Sequence, residues 1–238
     1  MTEAEWKTRC DLAALYRIAE LLNWSDSIFT HITARVPDEE NSYLINSYGL
    51  LFDEVTASNL VKVTTDGEKL SPGRINGVAL TLHNILHSKR KNINFIIHTH
   101  TPTGVAVSAD KRGLLPLSQQ SLTIINSVAY HDYEGVFFWE DEQERIISDL
   151  GDKDILILKN HGLVATASNI ASCFSRMYML ESACSIQCNS YKESTLIGID
   201  TINKSVNKSF DGSNSKSTVL MWQSMLRKLD RLKINYKE

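Results

Sequence analysis

Only four cysteines occur in the 238 residues, and none of Cys10, Cys173, Cys184 and Cys188 falls into a CxxC or CxxCH pair. That spacing excludes a disulfide framework and a thiolate metal site of the familiar kinds. Cys184 and Cys188 lie one helical turn apart among small apolar residues and read as buried free thiols, which suits a reducing, cytoplasmic setting. Four prolines and eleven glycines leave no Pro-, Gly- or Ser-rich linker that would cut the chain. No apolar run approaches the roughly 20 residues that cross a bilayer. No basic block is long enough to serve nucleic acid; Ser88-Lys89-Arg90-Lys91 comes nearest, in a chain of net charge −3. The start, Met1 to Trp6, is acidic and is not read as a signal peptide. GxSxG, the Walker loop and GxGxxG are all missing, so nucleophilic-elbow and nucleotide-cradle chemistry have no support.

What is present is ordinary globular composition, 42% hydrophobic and 22% charged, enough to bury a core without staples. Apolar residues recur at the helical period over Glu3 to Leu22, Asn76 to His87, Ser118 to Ile125, Glu140 to Leu150, Ile170 to Tyr191 and Ser217 to Leu232. A further helix starts near Thr103. Strand patterns cover Phe29 to Val36, Tyr43 to Asn46, Leu60 to Thr64, Phe95 to His100, Ser127 to Ala129 and Asp154 to Leu158. The polar stretch from 200 to 216 reads as a loop, followed by a C-terminal helix over 217–232. The alternation predicts one α/β domain over 1–238 with helices packed on a central sheet.

The sharpest chemical feature is His98-Thr99-His100 at the end of an apolar strand. Residues two apart on a strand share a face, so both imidazoles project together. His161, in Lys159-Asn160-His161-Gly162, follows the other strongly apolar strand. Three histidines at two strand ends form a candidate tripod for a divalent ion with an open fourth position. The plain alternative is a set of polar strand-end residues with ordinary hydrogen bonds. Tyr130-His131-Asp132-Tyr133-Glu134-Gly135 gathers proton-transfer groups before a glycine, though a polar turn has the same composition. His31, His83 and His87 stand apart; His83 and His87 are one helical turn apart, a spacing that could chelate an ion, but they read as an exposed helix face.

At Ile97-His98-Thr99-His100-Thr101-Pro102 and Asn160-His161-Gly162-Leu163 the chain resembles the class II aldolase and adducin head-domain family, in its adducin-like bacterial branch. Asn23-Trp24-Ser25-Asp26, Phe29 to Arg35, Ile45 to Glu54, Leu114 to Gln119, Tyr130 to Gly135 and Met225 to Arg231 extend the likeness over nearly the whole chain. The resemblance implies a three-layer α/β/α domain around a mostly antiparallel sheet. It also implies a homotetramer, a small-molecule substrate from carbohydrate metabolism, and a divalent metal held by His98, His100 and His161. Zinc is the first choice of metal, with iron, manganese or cobalt also fitting. The family's sugar-phosphate aldolases use a carboxylate at the start of the preceding helix, where this chain carries Ala79. Their phosphate-gripping serines fall on Gly77 and Val78. Alanine moves no proton and valine donates no hydrogen bond, so the expected substrate is non-phosphorylated, and Glu134 or Tyr133 becomes the candidate for proton transfer. The retained tripod favours a metal-dependent lyase or related carbonyl-chemistry enzyme. The alternative, favoured by Ala79, is a non-catalytic adducin-like scaffold or protein-binding domain.

Overall fold

The structure, a computed structural model, describes residues 1–135, 140–206 and 215–238. Seven strands form one sheet in the order β3-β2-β1-β4-β7-β6-β5. They are β1 (His31–Arg35), β2 (Ser42–Ile45), β3 (Val61–Thr64), β4 (Phe95–Thr99), β5 (Val128–His131), β6 (Ile155–Leu158) and β7 (Gly162–Ala167). Every pairing is antiparallel except β5 with β6, whose connection contains a helix. The sheet is therefore mixed, with antiparallel pairs dominating, as a helical crossover between parallel neighbours requires.

Alternating side chains split the sheet into two faces. Ile32, Ala34, Ile97, Leu163 and Ala165 face α1 (Glu3–Leu21), α6 (Ile170–Cys188) and α8 (Lys216–Arg231) in the larger core. Short helices α3 (Pro102–Ser108) and α4 (Gln119–Ile124) pack on α6. On the other face, Ile96, Val164, Leu156 and Leu158 meet α2 (Gly77–Lys89) and α5 (Glu140–Leu150). This is a single α/β domain in three layers. Among the described residues no helix is long and apolar enough to cross a membrane.

Four expectations are corrected. Strand β7 was not anticipated; all six of its residues are buried, so it shows no polar alternation, and Gly162, Ala165 and Ala167 are poor strand formers. The stretch expected as a loop over 200–216 carries α7 (Ile199–Val206), and 207–214 lie outside the described residues. Cys188 is exposed, whereas Cys184 is buried as expected. His83 and His87 are not on an exposed helix face; both are 0% exposed. Helix α2 turns them onto β1, where His31 and Thr33 share their side of the strand. There His31 Nδ1 lies 2.7 Å from His83 Nε2, and the Thr33 hydroxyl lies 2.6 Å from His83 Nδ1 and 2.9 Å from His87 Nε2. The Tyr43 ring stacks on His87 at 4.8 Å.

A Cβ on Gly162 would be driven onto the Thr99 carbonyl oxygen and sit 2.9 Å from His100 Cδ2. We expect Gly162→Ala to lower unfolding free energy by about 3 kcal/mol in a denaturant titration. Burial lowers the pKa of His83 well below 6.5 and that of His87 to about 3. Both are neutral in the folded chain, so below about pH 6.5 the unfolded chain binds more protons. Stability present at neutral pH is then lost as pH falls, at about 1.4 kcal/mol per pH unit for each such histidine. Between pH 6 and 4, His87→Gln should make the pH dependence of stability shallower by about one proton.

Candidate metal centre

Strands β4 and β6 run in the same direction, because each pairs antiparallel with β7 between them. Their C-terminal ends therefore lie together. His98 is on β4, and His100 follows that strand, just before Pro102 opens α3 with Thr101 as its cap. His161 sits in the tight turn between β6 and β7, where Leu158 pairs with Gly162. Asn160 takes the left-handed backbone there, at φ 57°. That conformation suits asparagine better than most side chains. Gly162 lets this turn press against the end of β4, which accounts for the Asn-His-Gly sequence.

The three imidazoles converge. His100 Nε2 is 2.8 Å from His98 Nε2 and 3.0 Å from His161 Nε2. One nitrogen from each ring lies within 4.8 Å of the others. The far nitrogens decide what this means. His98 Nδ1 lies 3.0 Å from the Leu163 carbonyl oxygen, which can only accept. His100 Nδ1 lies 3.1 Å from Asp26 Oδ2. Each Nδ1 therefore donates its proton outward, and the neutral ring presents a bare Nε2 inward. Two lone pairs facing each other at 2.8 Å repel unless a cation lies between them. Nitrogens about 2.05 Å from a tetrahedral zinc would stand about 3.3 Å apart, close to the spacing here. A carbonyl or carboxylate behind each imidazole is also the usual support of a metal-bound histidine.

Charge follows the same pattern. Burial pushes the His98 pKa far below its ordinary value, and burial and the neighbouring His100 push His161 down to about 4. For His100 burial also wins, although the Asp26 bond and charge oppose it. All three rings are neutral at pH 7 and ready to donate lone pairs. These residues could hold a divalent ion and expose one face of it to a ligand.

A second support lies beneath the strand. Glu181, on α6, accepts from the Thr99 hydroxyl at 2.5 Å and from the Thr101 hydroxyl at 2.6 Å. It thereby grips the chain on both sides of His100. Burial raises its carboxyl pKa, and the two hydroxyl bonds counter that. Neither Asp26 nor Glu181 stood out in the sequence, because each acts on residues more than 70 positions away. The spacing of Thr99 and Thr101 around His100 was the one local hint.

The other candidates are not members of this cluster. Tyr130 and His131 belong to β5, and the His131 ring is held between Asp149 at 2.8 Å and Glu142 at 3.3 Å. Tyr133 is half exposed. Glu134 forms a forked ion pair with Arg145, with Nε to Oε1 at 2.7 Å, which holds its carboxyl below the usual range. Both follow the C-terminal end of β5, which runs parallel to β6, so they share the histidines' end of the sheet. Ala79 is buried on α2, one turn before His83.

Known proteins carry the same architecture. Residues 10–188 match the family described as Class II Aldolase and Adducin N-terminal domain. A Caulobacter vibrioides relative, named among the class 2 aldolases, is 43% identical over 236 residues, covering 97% of this chain and 92% of its own. The crystal structure of an aldolase II superfamily protein from Pseudomonas syringae is 39% identical, with a TM-score of 0.96 over 100% of this chain and 98% of that one. Alpha-adducin of Rattus norvegicus is 45% identical over 184 residues, which are 75% of this chain and only 25% of the adducin. With its fold, its strand-end histidines and these similarities taken together, the chain belongs to the class II aldolase and adducin N-terminal domain family.

Proposed function

We propose that this protein is a metal-dependent enzyme of carbonyl chemistry, a lyase or a close relative, acting on a small, non-phosphorylated oxygenated substrate. The observation that carries the reading is the approach of the His98 and His100 Nε2 atoms at 2.8 Å, both left bare by an acceptor behind the ring, with His161 Nε2 3.0 Å from His100 Nε2. His98, His100 and His161 are the ligands, and zinc is the first candidate, with iron, manganese and cobalt as alternatives. The ion, when bound, supplies Lewis acidity to a substrate oxygen and lowers the pKa of bound water towards about 7.

The chain's own residues do the rest. The Leu163 carbonyl and Asp26 fix ring orientation and keep the proton on Nδ1 of His98 and His100. Glu181 fixes the backbone on either side of His100. Ala79 offers no group for proton transfer, so that role is assigned to Glu134 and Tyr133 at the same end of the sheet. The Arg145 pair keeps Glu134 ionised, the form in which a carboxylate accepts a proton. Gly77 and Val78 at the start of α2 supply no side-chain donor for a phosphate. By family resemblance the working form is a homotetramer in the cytoplasm, serving carbohydrate metabolism.

A second reading has its own support. Ala79 and the 45% identity to alpha-adducin favour a protein-binding scaffold that retains the histidines. Metal content and turnover separate the two readings.

Protein purified without added metal, or incubated with Zn²⁺, Mn²⁺ or anaerobic Fe²⁺, should hold about one equivalent by elemental analysis. The double variant H98A/H100A should hold none; an empty wild type ends the enzyme reading. Asp26→Ala should weaken metal affinity about 10- to 100-fold in a chelator competition, because His100 loses its carboxylate. In a screen of small hydroxy-carbonyl compounds, Glu134→Gln should cut turnover of any active substrate about 10²- to 10⁴-fold with metal content unchanged. Unchanged turnover removes Glu134 from the mechanism.

A further inference from the structure

The end of β4 has a second side, and it is built around a carboxylate. Thr99 alternates with His98 along the strand and so faces α6, where its hydroxyl donates to Glu181 Oε1 at 2.5 Å. The Thr101 hydroxyl accepts from the Gly104 amide at 3.1 Å, so its single proton goes to Glu181 Oε2 at 2.6 Å. Glu181 thus accepts at both oxygens, the pattern of an ionised carboxylate, although it is only 6% exposed. Among the described residues no lysine, arginine or histidine pairs with it. A buried charge without a counter-charge is costly. Burial disfavours the ionised form here, and a cation beside it would restore that form.

Glu181 lines a cleft of about 510 Å³ between the end of α1, the start of α3 and the middle of α6. That space suits a small molecule. Among the described residues lining it, Glu181 alone is charged. Trp24, which is buried, and the more exposed Tyr178 line the same cleft, their ring centroids 6.5 Å apart. Aromatic rings attract cations. Gln120, Ser182 and Ser185 bring oxygens that accept N–H bonds, and Leu22 and Ile186 bring apolar surface. An anion would meet only repulsion from Glu181, and a neutral polyol would leave its charge uncompensated. An ammonium group satisfies the carboxylate, the rings and the neutral acceptors together.

We propose that this cleft is a binding site for a small aliphatic amine, its ammonium group seated against Glu181 and its hydrocarbon against Leu22 and Ile186. The site lies across the end of β4 from His98, and it does not depend on a metal in the tripod.

The test uses the full-length protein at pH 7.5 and follows the indole ¹H–¹⁵N signal of Trp24, which the spectrum of Trp24→Phe assigns. Propylammonium, 1-propanol and propionate are the probes, because they are alike in size and differ in charge. Propylammonium should shift the Trp24 signal to saturation, 1-propanol should bind about tenfold more weakly, and propionate should not bind. Glu181→Gln removes the charge and keeps an oxygen to accept from a threonine. It should bring propylammonium down about tenfold, to the level of 1-propanol. Should that variant not fold, Ser185→Trp on the exposed rim fills the mouth of the cleft and should abolish the shift. Equal binding of propylammonium and 1-propanol to the wild type overturns the proposal, as does a Trp24 signal that propylammonium leaves in place. Size-exclusion chromatography then finds the other occupant. An oligomeric wild type that ignores propylammonium, with Glu181→Gln falling apart into monomers, assigns the counter-charge to a second copy of the chain and removes the amine site.

Discussion

Three neutral imidazoles that turn their Nε2 atoms on one another cannot share so small a space for nothing. His98 and His100 are held by something stiffer than themselves. His98 is tied to the Leu163 carbonyl of the neighbouring strand, His100 to Asp26, and the chain around His100 to Glu181 beneath the sheet. The sheet order exists to the same effect: β7 lies between β4 and β6, so the ends of those two strands arrive side by side and carry His98, His100 and His161 with them. The glycine at the start of β7 then lets the turn close onto β4. Fold and candidate centre are thus one construction, in which packing supplies the force that the facing lone pairs resist.

The two faces of the sheet do different work. The face under α1, α6 and α8 is a broad apolar core anchored by Tyr16, Phe174 and Trp222. The face under α2 interrupts its apolar packing with His31, Thr33, His83 and His87. A buried polar column of this kind adds little net stability compared with apolar side chains, but it demands that every member be oriented. One atom, His87 Nδ1, has no hydrogen-bond partner among the described residues. The helix that bears it also carries Ala79, one turn before His83 and two before His87.

Much of this was legible in the sequence. A period of two placed His98 and His100 on one face, and an apolar run followed by Asn-His-Gly marked the turn that brings His161 to them. The helices other than α7 announced themselves by their stripes. What the sequence hid was hidden for definite reasons. Strand β7 is buried on both faces and rich in small residues, so neither alternation nor propensity marks it. The helical pair His83 and His87 looked like polar surface, because an i,i+4 spacing does not say which way a helix faces. Only Thr33 and His31, alternating on a strand 50 residues earlier, reveal the inward side. Asp26 and Glu181 depend wholly on tertiary contacts.

The strand order also governs how the chain is born. β1, β2 and β3 pair as they are made, and β4 joins β1 soon after, but the other edge of β4 waits for β7, more than 60 residues downstream. Until those residues leave the ribosome, β4 offers a row of unpaired amides and an apolar surface to any passing chain. The centre of the sheet closes through one of the longer loops in the protein, which slows folding and exposes a half-built sheet to misassembly. The last strand to take its place is the one that sets His161 beside His98 and His100, so the convergence of the three histidines and the end of this vulnerable interval are the same event.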